Sequence, residues 1–149
     1  GRPKAPIVHA AGQRFEIGGS VQLTDGRDVT IMATGLLVAE AVKAQESLEA
    51  EGISARVIDM YSIKPLDRSA ILRAARETRK IVVAEEHLVA SGLGARVAQV
   101  VAETEPCPME FVGIQDTYAE SGTPEQLMEK YGLVFRNVAA AAKRVLGRK

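Results

Sequence analysis

The sequence is poor in several residue types that mark specialised proteins. It contains no tryptophan, one cysteine and only 4% aromatic residues, and its 19 basic residues are balanced by 19 acidic ones. The lone Cys107 has no partner for an internal disulfide, which fits a reducing cytoplasm. Because there is no excess positive charge, the chain lacks the electrostatic footprint that nucleic-acid binding requires. We therefore expect a cytoplasmic globular protein that binds no nucleic acid.

Long apolar runs are also missing. The longest candidate, residues 29–42, is interrupted by Gly35 and Glu40 and is too short to cross a bilayer. The first residues carry charge but lack the apolar segment of a signal peptide. The sequence therefore predicts no membrane partner, and a length of 149 residues favours one folded domain.

The chain does contain a regular alternation of β-branched runs and amphipathic helices. Strands are predicted over residues 29–34, 53–60, 80–84 and 109–114, and helices over residues 36–51, 68–76, 92–103, 124–131 and 134–146. The strand over 53–60 is diluted by Ser54, Arg56 and Asp59, so we expect it to be less buried than its neighbours. The alternation predicts an α/β fold, a three-layer α/β/α arrangement in which a mostly parallel sheet of about five strands carries helices on both faces.

Residues 1–26 differ from the rest of the chain because they are rich in proline and glycine. We interpret them as a leading segment or linker from a preceding domain, with one or two short extended pieces, and residues 27–149 as the domain itself. His9 lies in this segment and is given no functional role.

Several helix ends carry recognisable capping residues. Asp67 is expected to cap the second helix, and Thr123 with Gln126 predicts a capping box before the fourth. Gly52 suits the left-handed position that closes the first helix. Ser91 is expected to cap the third helix through its hydroxyl. No such residue precedes the last helix, so its start is the least defined.

The stretch over residues 80–97 carries the most chemistry. Its strand ends in Glu85, Glu86 and His87, and a helix opens at Gly92 and Gly94. In a parallel sheet, the loop after the carboxyl end of a strand is where ligands and partners meet the fold. Glu85, Glu86 and His87 form a titratable cluster that could carry out proton transfer, although loop contacts or a subunit interface are the commoner role of such a cluster. No nucleophile elbow and no metal-ligand spacing is present.

The two glycines of this stretch half-match a dinucleotide-binding fingerprint. The third glycine is missing, residues 86–91 separate the glycines from the strand, and Glu85 and Glu86 would repel a pyrophosphate. Close packing of the helix start is the better interpretation of Gly92 and Gly94. The N–H groups of that helix start still leave an anion site as an alternative.

Several pieces of the sequence occur, in this order and spacing, in one known family. They are Phe15-Glu16-Ile17-Gly18, Asp28-Val29-Thr30-Ile31 with Ala33-Thr34-Gly35, Ile63-Lys64-Pro65-Leu66-Asp67, Val83-Ala84-Glu85-Glu86-His87 with Gly92-Leu93-Gly94, and Gly113-Ile114-Gln115-Asp116 through Glu120-Ser121-Gly122 to Tyr131-Gly132-Leu133. The chain resembles the C-terminal domain of transketolase-like thiamine-diphosphate enzymes, most of all the C-terminal half of transketolases split into two chains. The β subunits of 2-oxoacid dehydrogenases and 1-deoxyxylulose-5-phosphate synthase share part of the pattern and remain alternatives. Ser91 departs from the family, in which a glycine pair is expected.

The resemblance implies two-carbon ketol transfer between sugar phosphates by the complete enzyme. In that family the two preceding domains hold thiamine diphosphate and Mg²⁺, and the Gly-Asp-Gly motif that binds them is absent here. No catalytic, cofactor-binding or metal-binding residue therefore carries over, and the isolated chain is expected to be inactive. The resemblance implies a third domain that mainly supports assembly, with regulation as a second role. The expected partners are the remaining transketolase domains or subunit and a second copy in a homodimer.

Eight residues that match the family or open the third helix are candidates for an interface or an anion site: Glu86, His87, Ser91, Gly92, Gly94, Asp116, Glu120 and Ser121. Three hypotheses follow. The chain is an assembly domain that is inactive alone, a standalone regulatory module that binds an anion at the Gly92 helix start, or a self-contained enzyme that uses Glu86 and His87.

Overall fold

The structure is a computed structural model that describes residues 4–117 and 120–149. Its elements are β1 (Val21–Thr24), β2 (Val29–Ala33), α1 (Leu37–Ala50), β3 (Ala55–Asp59), α2 (Arg68–Glu77), β4 (Ile81–Leu88), α3 (Leu93–Thr104), β5 (Met109–Ile114), α4 (Pro124–Lys130) and α5 (Phe135–Leu146). None of these helices is long and apolar enough to cross a membrane. Residues 1–3 of the predicted leading segment and residues 118–119 of the predicted loop after β5 lie outside the described residues.

The strands form one sheet in the order β1-β3-β2-β4-β5. β2 pairs in parallel with both β3 and β4, β4 pairs in parallel with β5, and β1 runs antiparallel along the outer edge of β3. The chain moves outward from β2 to β3 and then returns past β2 to β4. The direction of winding therefore reverses between β2 and β4, and a crevice opens there at the carboxyl ends of the strands.

Successive residues of each strand face opposite layers of helices. Ile31 and Val57 belong to a core cluster that includes α1 and α5, whereas Met32 and Ile58 belong to a second cluster that includes α2 and α3. Helices therefore cover both faces of the sheet. The predicted three-layer α/β/α architecture with a mostly parallel sheet is confirmed.

The prediction that the strand now identified as β3 is less buried than its neighbours is wrong. All five of its residues are buried, including Arg56 and Asp59, which are 8% and 6% exposed. β1 covers the outer edge of β3, and the charged side chains have partners. Arg56 pairs with Asp25 and Glu77, and Asp59 pairs with His9. Pairing makes the burial of these charges tolerable.

Most of the predicted helix caps are confirmed. Asp67 accepts a hydrogen bond from the N–H of Ala70 at 3.0 Å, and the side chains of Thr123 and Gln126 complete both halves of the capping box. Gly52 has a φ of 80° and closes α1 as expected. The prediction for Ser91 is wrong, because α3 is preceded by Gly92 and no side chain at that position caps the helix.

The first N–H group of helix α5 donates its hydrogen bond to a side chain that is far away in the sequence. The N–H of Phe135 donates to Oε2 of Glu40 on α1 at 2.7 Å, across a separation of 95 residues. A carboxylate at a helix N-terminus satisfies an orphan N–H and complements the helix dipole. Glu40 therefore ties the start of α5 to the neighbouring helix in the same layer.

We expect the Asp67 cap to weaken at acidic pH. Partial burial raises the pKa of Asp67, but hydrogen bonds from Ala70, Ser20 and Ser69 outweigh that effect, and the net pKa is lowered from 3.8. Its stabilisation is therefore fully present above about pH 5 and is lost as the pH falls below the unfolded value and through the lower folded one.

Asp67→Asn is the matched reference, because asparagine keeps a capping oxygen but does not titrate. The free energy of unfolding of the wild type minus that of the variant should be constant above about pH 5 and should decrease at lower pH. The measurement is urea unfolding at a series of pH values. A difference that stays constant to about pH 2.5 would contradict the lowered pKa.

Candidate functional site

The crevice at the carboxyl ends of the strands holds a cavity of about 350 Å³. We call it the carboxyl-edge cavity. The residues that line it are Thr34, Gly35, Ile63, Glu85, Glu86, His87, Ser91 and Gly92. They come from the ends of β2 and β4, from the loop after β3 and from the start of α3. The fold thus gathers the most distinctive stretch of the sequence at its topological switch point.

Glu85 is the buried centre of this arrangement. Glu85 lies in β4 and is only 3% exposed. Its carboxylate accepts two hydrogen bonds from backbone N–H groups at the start of α3. The N–H of Leu93 donates to Oε2 at 2.7 Å, and the N–H of Gly94 donates to Oε1 at 2.8 Å. Each carboxylate oxygen therefore takes one orphan donor of the helix, where negative charge is also favoured by the dipole.

The glycines around Glu85 make room for its carboxylate. A Cβ added to Gly92 would lie 2.0 Å from Oε2 of Glu85, far closer than the 3.4–4 Å of an ordinary contact. A Cβ added to Gly94 would lie 2.8 Å from the ring of Phe111 and 3.3 Å from Oε1 of Glu85. The two glycines are thus needed for close approach between helix and strand rather than for a turn. We call Glu85, Gly92, Leu93 and Gly94 the Glu85 clamp.

The clamp occupies the amides on which an anion site at this helix start would depend. The N–H groups of Leu93 and Gly94 already have a charged acceptor, and a second anion beside Glu85 would be repelled by it. Among the described residues, no group of three or more histidine, cysteine or acidic side chains lies together in a way that could hold a metal ion. At this wall of the cavity, the carboxylate of Glu85 therefore caps the start of α3.

Glu86, His87 and Leu88 continue β4 into solvent, so the strand is longer than the sequence predicted. All three are exposed, and the pairing of β4 with β5 is irregular between Ala84 and Leu88. Nδ1 of His87 lies 3.3 Å from the carbonyl oxygen of Leu88. Within the described ranges, the carbonyl oxygen of Leu88 is the hydrogen-bond partner of the His87 ring, and no carboxylate pairs with it. The exposed end of β4 is therefore accessible to another surface.

The remaining candidates lie in the connection between β5 and α4. Asp116, Glu120 and Ser121 are exposed, and Glu120 forms an ion pair with Lys130. The N–H of Glu120 also donates to the hydroxyl of Tyr131 at 3.0 Å. None of these three residues lines the carboxyl-edge cavity. The structure thus gathers Glu86, His87, Ser91 and Gly92 around the cavity, with Gly94 in the adjoining clamp, and keeps the other three candidates apart.

Sequence reasoning missed one cluster entirely. Nε2 of His9 lies 2.8 Å from Oδ2 of Asp59, and the His9 ring meets Phe15 edge to face at 4.9 Å between centroids. Burial raises the pKa of Asp59, while the hydrogen bond and charge of His9 act in the opposite direction. No local pattern marks this pair, because its members are 50 residues apart. The segment before β1 is therefore fastened to the carboxyl end of β3.

Comparison with known proteins agrees with this geometry. The family model described as "Transketolase, C-terminal domain" matches residues 18–138. A solved structure titled "Split gene transketolase, inactive beta4 tetramer" superposes with a TM-score of 0.92 at 48% identity, over 95% of this chain and 46% of that chain.

Two curated relatives show the range of the family. The 6-deoxy-6-sulfo-D-fructose transketolase subunit SqwH of Clostridium sp. (strain MSTE9) is 39% identical over 99% of this chain and 46% of its own length. The 1-deoxy-D-xylulose-5-phosphate synthase of Heliobacterium modesticaldum is 42% identical over 85% of this chain and 20% of its own length. The chain therefore spans less than half the length of these relatives. With the family model matching most of its residues, the chain belongs to the transketolase C-terminal domain family.

Proposed function

We propose that this chain is the assembly domain of a transketolase-type enzyme that moves a two-carbon ketol unit between sugar phosphates, and that it is not catalytic alone. The observation that carries the proposal is the Glu85 clamp. At the position where an α/β domain of this kind would receive a phosphate, the chain places its own carboxylate. The start of α3 is thereby occupied by the chain itself, which supports a role in packing rather than in anion binding.

The residues around the carboxyl-edge cavity do not suit thiamine diphosphate. Two amides that a diphosphate would need are bound to Glu85, and Glu86 adds a second negative charge at the cavity. We therefore assign the cofactor and its Mg²⁺ to the remaining part of a complete enzyme and derive no catalytic step here. The proposal includes a cytoplasmic location, which is supported by the single cysteine.

The relatives are of two kinds, and each kind suggests a different activity for the complete enzyme. The matches include a sulfofructose transketolase subunit and a deoxyxylulose-phosphate synthase, at 39% and 42% identity. The printed name of the first includes the word subunit, and the similar solved structure is described as a β4 tetramer. These names support ketol transfer in an assembly of several chains as the main proposal. The synthase remains the second candidate for the complete enzyme.

The face proposed for assembly is the exposed rim of the carboxyl-edge cavity. Ile63, Glu86 and His87 line the cavity, and Leu88 ends β4 directly after them. Leu88 and Ile63 are large apolar residues that remain 39% and 37% exposed. Exposed apolar side chains within a polar rim are typical of protein contact surfaces. We assign this rim to contact with a second copy of the chain.

We expect the chain to self-associate and Leu88→Glu to weaken that association at least tenfold, because the new charge would be buried at the contact. The measurement is sedimentation equilibrium from about 1 to 100 μM chain. Ala140→Glu is the matched control, since it adds the same charge to an exposed position of α5 and should change nothing. A wild-type chain that is monomeric throughout, or an unchanged dissociation constant in Leu88→Glu, would contradict the assignment.

A further inference from the structure

The segment before β1 is held against the fold by side chains at several points. We call residues 8–20 the strap and residues 60–67, which connect β3 to α2, the β3–α2 loop. The strap has no helix or strand of its own before Val21, and most of its residues are exposed. Its order therefore depends on its contacts with β3 and with the β3–α2 loop, and on Val8, which packs against the core cluster that includes α1 and α5.

The first contact is the pair formed by His9 and Asp59. The side chains are 20% and 8% exposed, and Nε2 of His9 lies 2.8 Å from Oδ2 of Asp59. Asp59 is the last residue of β3, so the β3–α2 loop begins directly after this contact. Opening of the strap would leave the carboxylate of Asp59 without this partner.

The second contact is a stack of aromatic rings. Phe15 lies between His9 and Tyr61, and both ring pairs are edge to face with centroids 4.9 Å apart. The hydroxyl of Tyr61 donates to the carbonyl oxygen of Glu16 at 3.0 Å and accepts from the N–H of Glu16 at 3.1 Å. A Cβ on Gly19 would lie 2.4 Å from that hydroxyl. Tyr61 of the β3–α2 loop is thus bound to the strap through both its ring and its hydroxyl.

The third contact reaches the far end of the same loop. The N–H of Gly18 donates to Oγ of Ser62 at 2.9 Å, and that hydroxyl donates to the carbonyl oxygen of Pro65 at 2.7 Å. Oγ of Ser20 donates to Oδ2 of Asp67 at 2.8 Å. The strap therefore holds the β3–α2 loop at both of its ends, and Ile63, which lines the carboxyl-edge cavity, lies between them.

From this arrangement we propose that the strap is a relay that sets the position of Ile63, and so the shape of the carboxyl-edge cavity. A partner that moves the strap changes the rim of the cavity without touching it. The relay does not depend on which enzyme the chain serves.

Methyl NMR of the full 149-residue chain tests the relay. Val8 reports on the strap, Ile63 on the cavity rim, and Ile31, which is fully buried in β2, on the core. In Phe15→Ala we expect the methyl order parameters of Val8 and Ile63 to fall by about 0.2, the difference between rigid and flexible groups, while Ile31 stays unchanged.

A second variant and a control make the result decisive. Tyr61→Phe removes only the hydroxyl that binds Glu16. If the loss of the Phe15 ring unfolds the chain, the order parameters of Val8, Ile63 and Ile31 are compared in Tyr61→Phe instead. Ile7→Ser changes a side chain that is 95% exposed and should leave Ile63 as in the wild type. A strap that loosens at Val8 while Ile63 remains rigid would overturn the relay, and so would a strap that stays rigid in both variants.

Discussion

Replacement of Glu85 by alanine is expected to lower the free energy of unfolding by about 3–5 kcal/mol, the largest effect of any single substitution at the cavity. The variant leaves the N–H groups of Leu93 and Gly94 without an acceptor at a buried site. It also removes the negative charge that complements the start of α3. Glu85→Gln should recover only part of this loss, because its amide nitrogen is a donor and would face one of the two N–H groups.

Glu86→Ala is the control for this prediction. Glu86 is the next residue of β4 and carries the same charge, but its side chain is exposed. We expect its substitution to change the free energy of unfolding by less than about 0.5 kcal/mol. Urea unfolding followed by circular dichroism measures both variants. Equal effects of the two substitutions would show that the buried carboxylate does not hold α3 to β4.

The second large effect is expected at Gly92. Gly92→Ala places a Cβ 2.0 Å from Oε2 and 2.6 Å from Cδ of Glu85, so the carboxylate has to leave its two donors. We expect a loss of about 2–4 kcal/mol in the free energy of unfolding, since the substitution disrupts the same hydrogen bonds without removing the charge. Combined with Glu85→Ala it should cost much less than the sum, because both act on one contact.

Ser91→Ala distinguishes between two residues that could cap α3, namely Glu85, as in the structure, and Ser91, as the sequence suggested. A capping serine loses about 1 kcal/mol when it is replaced by alanine. Ser91 is exposed and does not cap α3, so we expect a change below about 0.5 kcal/mol. Thermal unfolding of Ser91→Ala and Gly92→Ala side by side makes the comparison. A destabilised Ser91→Ala with a wild-type-like Gly92→Ala would reverse the assignment of the cap.

The sheet and the local caps could be predicted because their signals are local. The β-branched run that forms a strand spans only Val29–Ala33, and the capping box spans only Thr123 to Gln126. Each signal is therefore contained in a stretch of four or five residues. The Glu85 clamp could be predicted only in part. Its glycines indicated close packing, but the occupant of that space is the side chain of Glu85, which the sequence marked only as one of the charged residues at the end of the strand.

The remote contacts could not be predicted from one sequence. Glu40 caps a helix that begins 95 residues later, and His9 pairs with an aspartate 50 residues away. In both cases the partners are ordinary charged residues whose own surroundings show no distinctive spacing. The misjudged burial of β3 has the same origin, since Arg56 and Asp59 look like solvent-facing residues until their partners are known.

The central claim is that this domain assembles with other parts of an enzyme and does not itself hold the cofactor. Isothermal titration of thiamine diphosphate with Mg²⁺ into the 149-residue chain tests it most directly. We predict no saturable heat up to about 1 mM cofactor, because the amides at the carboxyl edge are already bound to Glu85. Saturable binding with a dissociation constant below about 100 μM would contradict the account, and its loss in Gly92→Ala would locate the cofactor at the clamp.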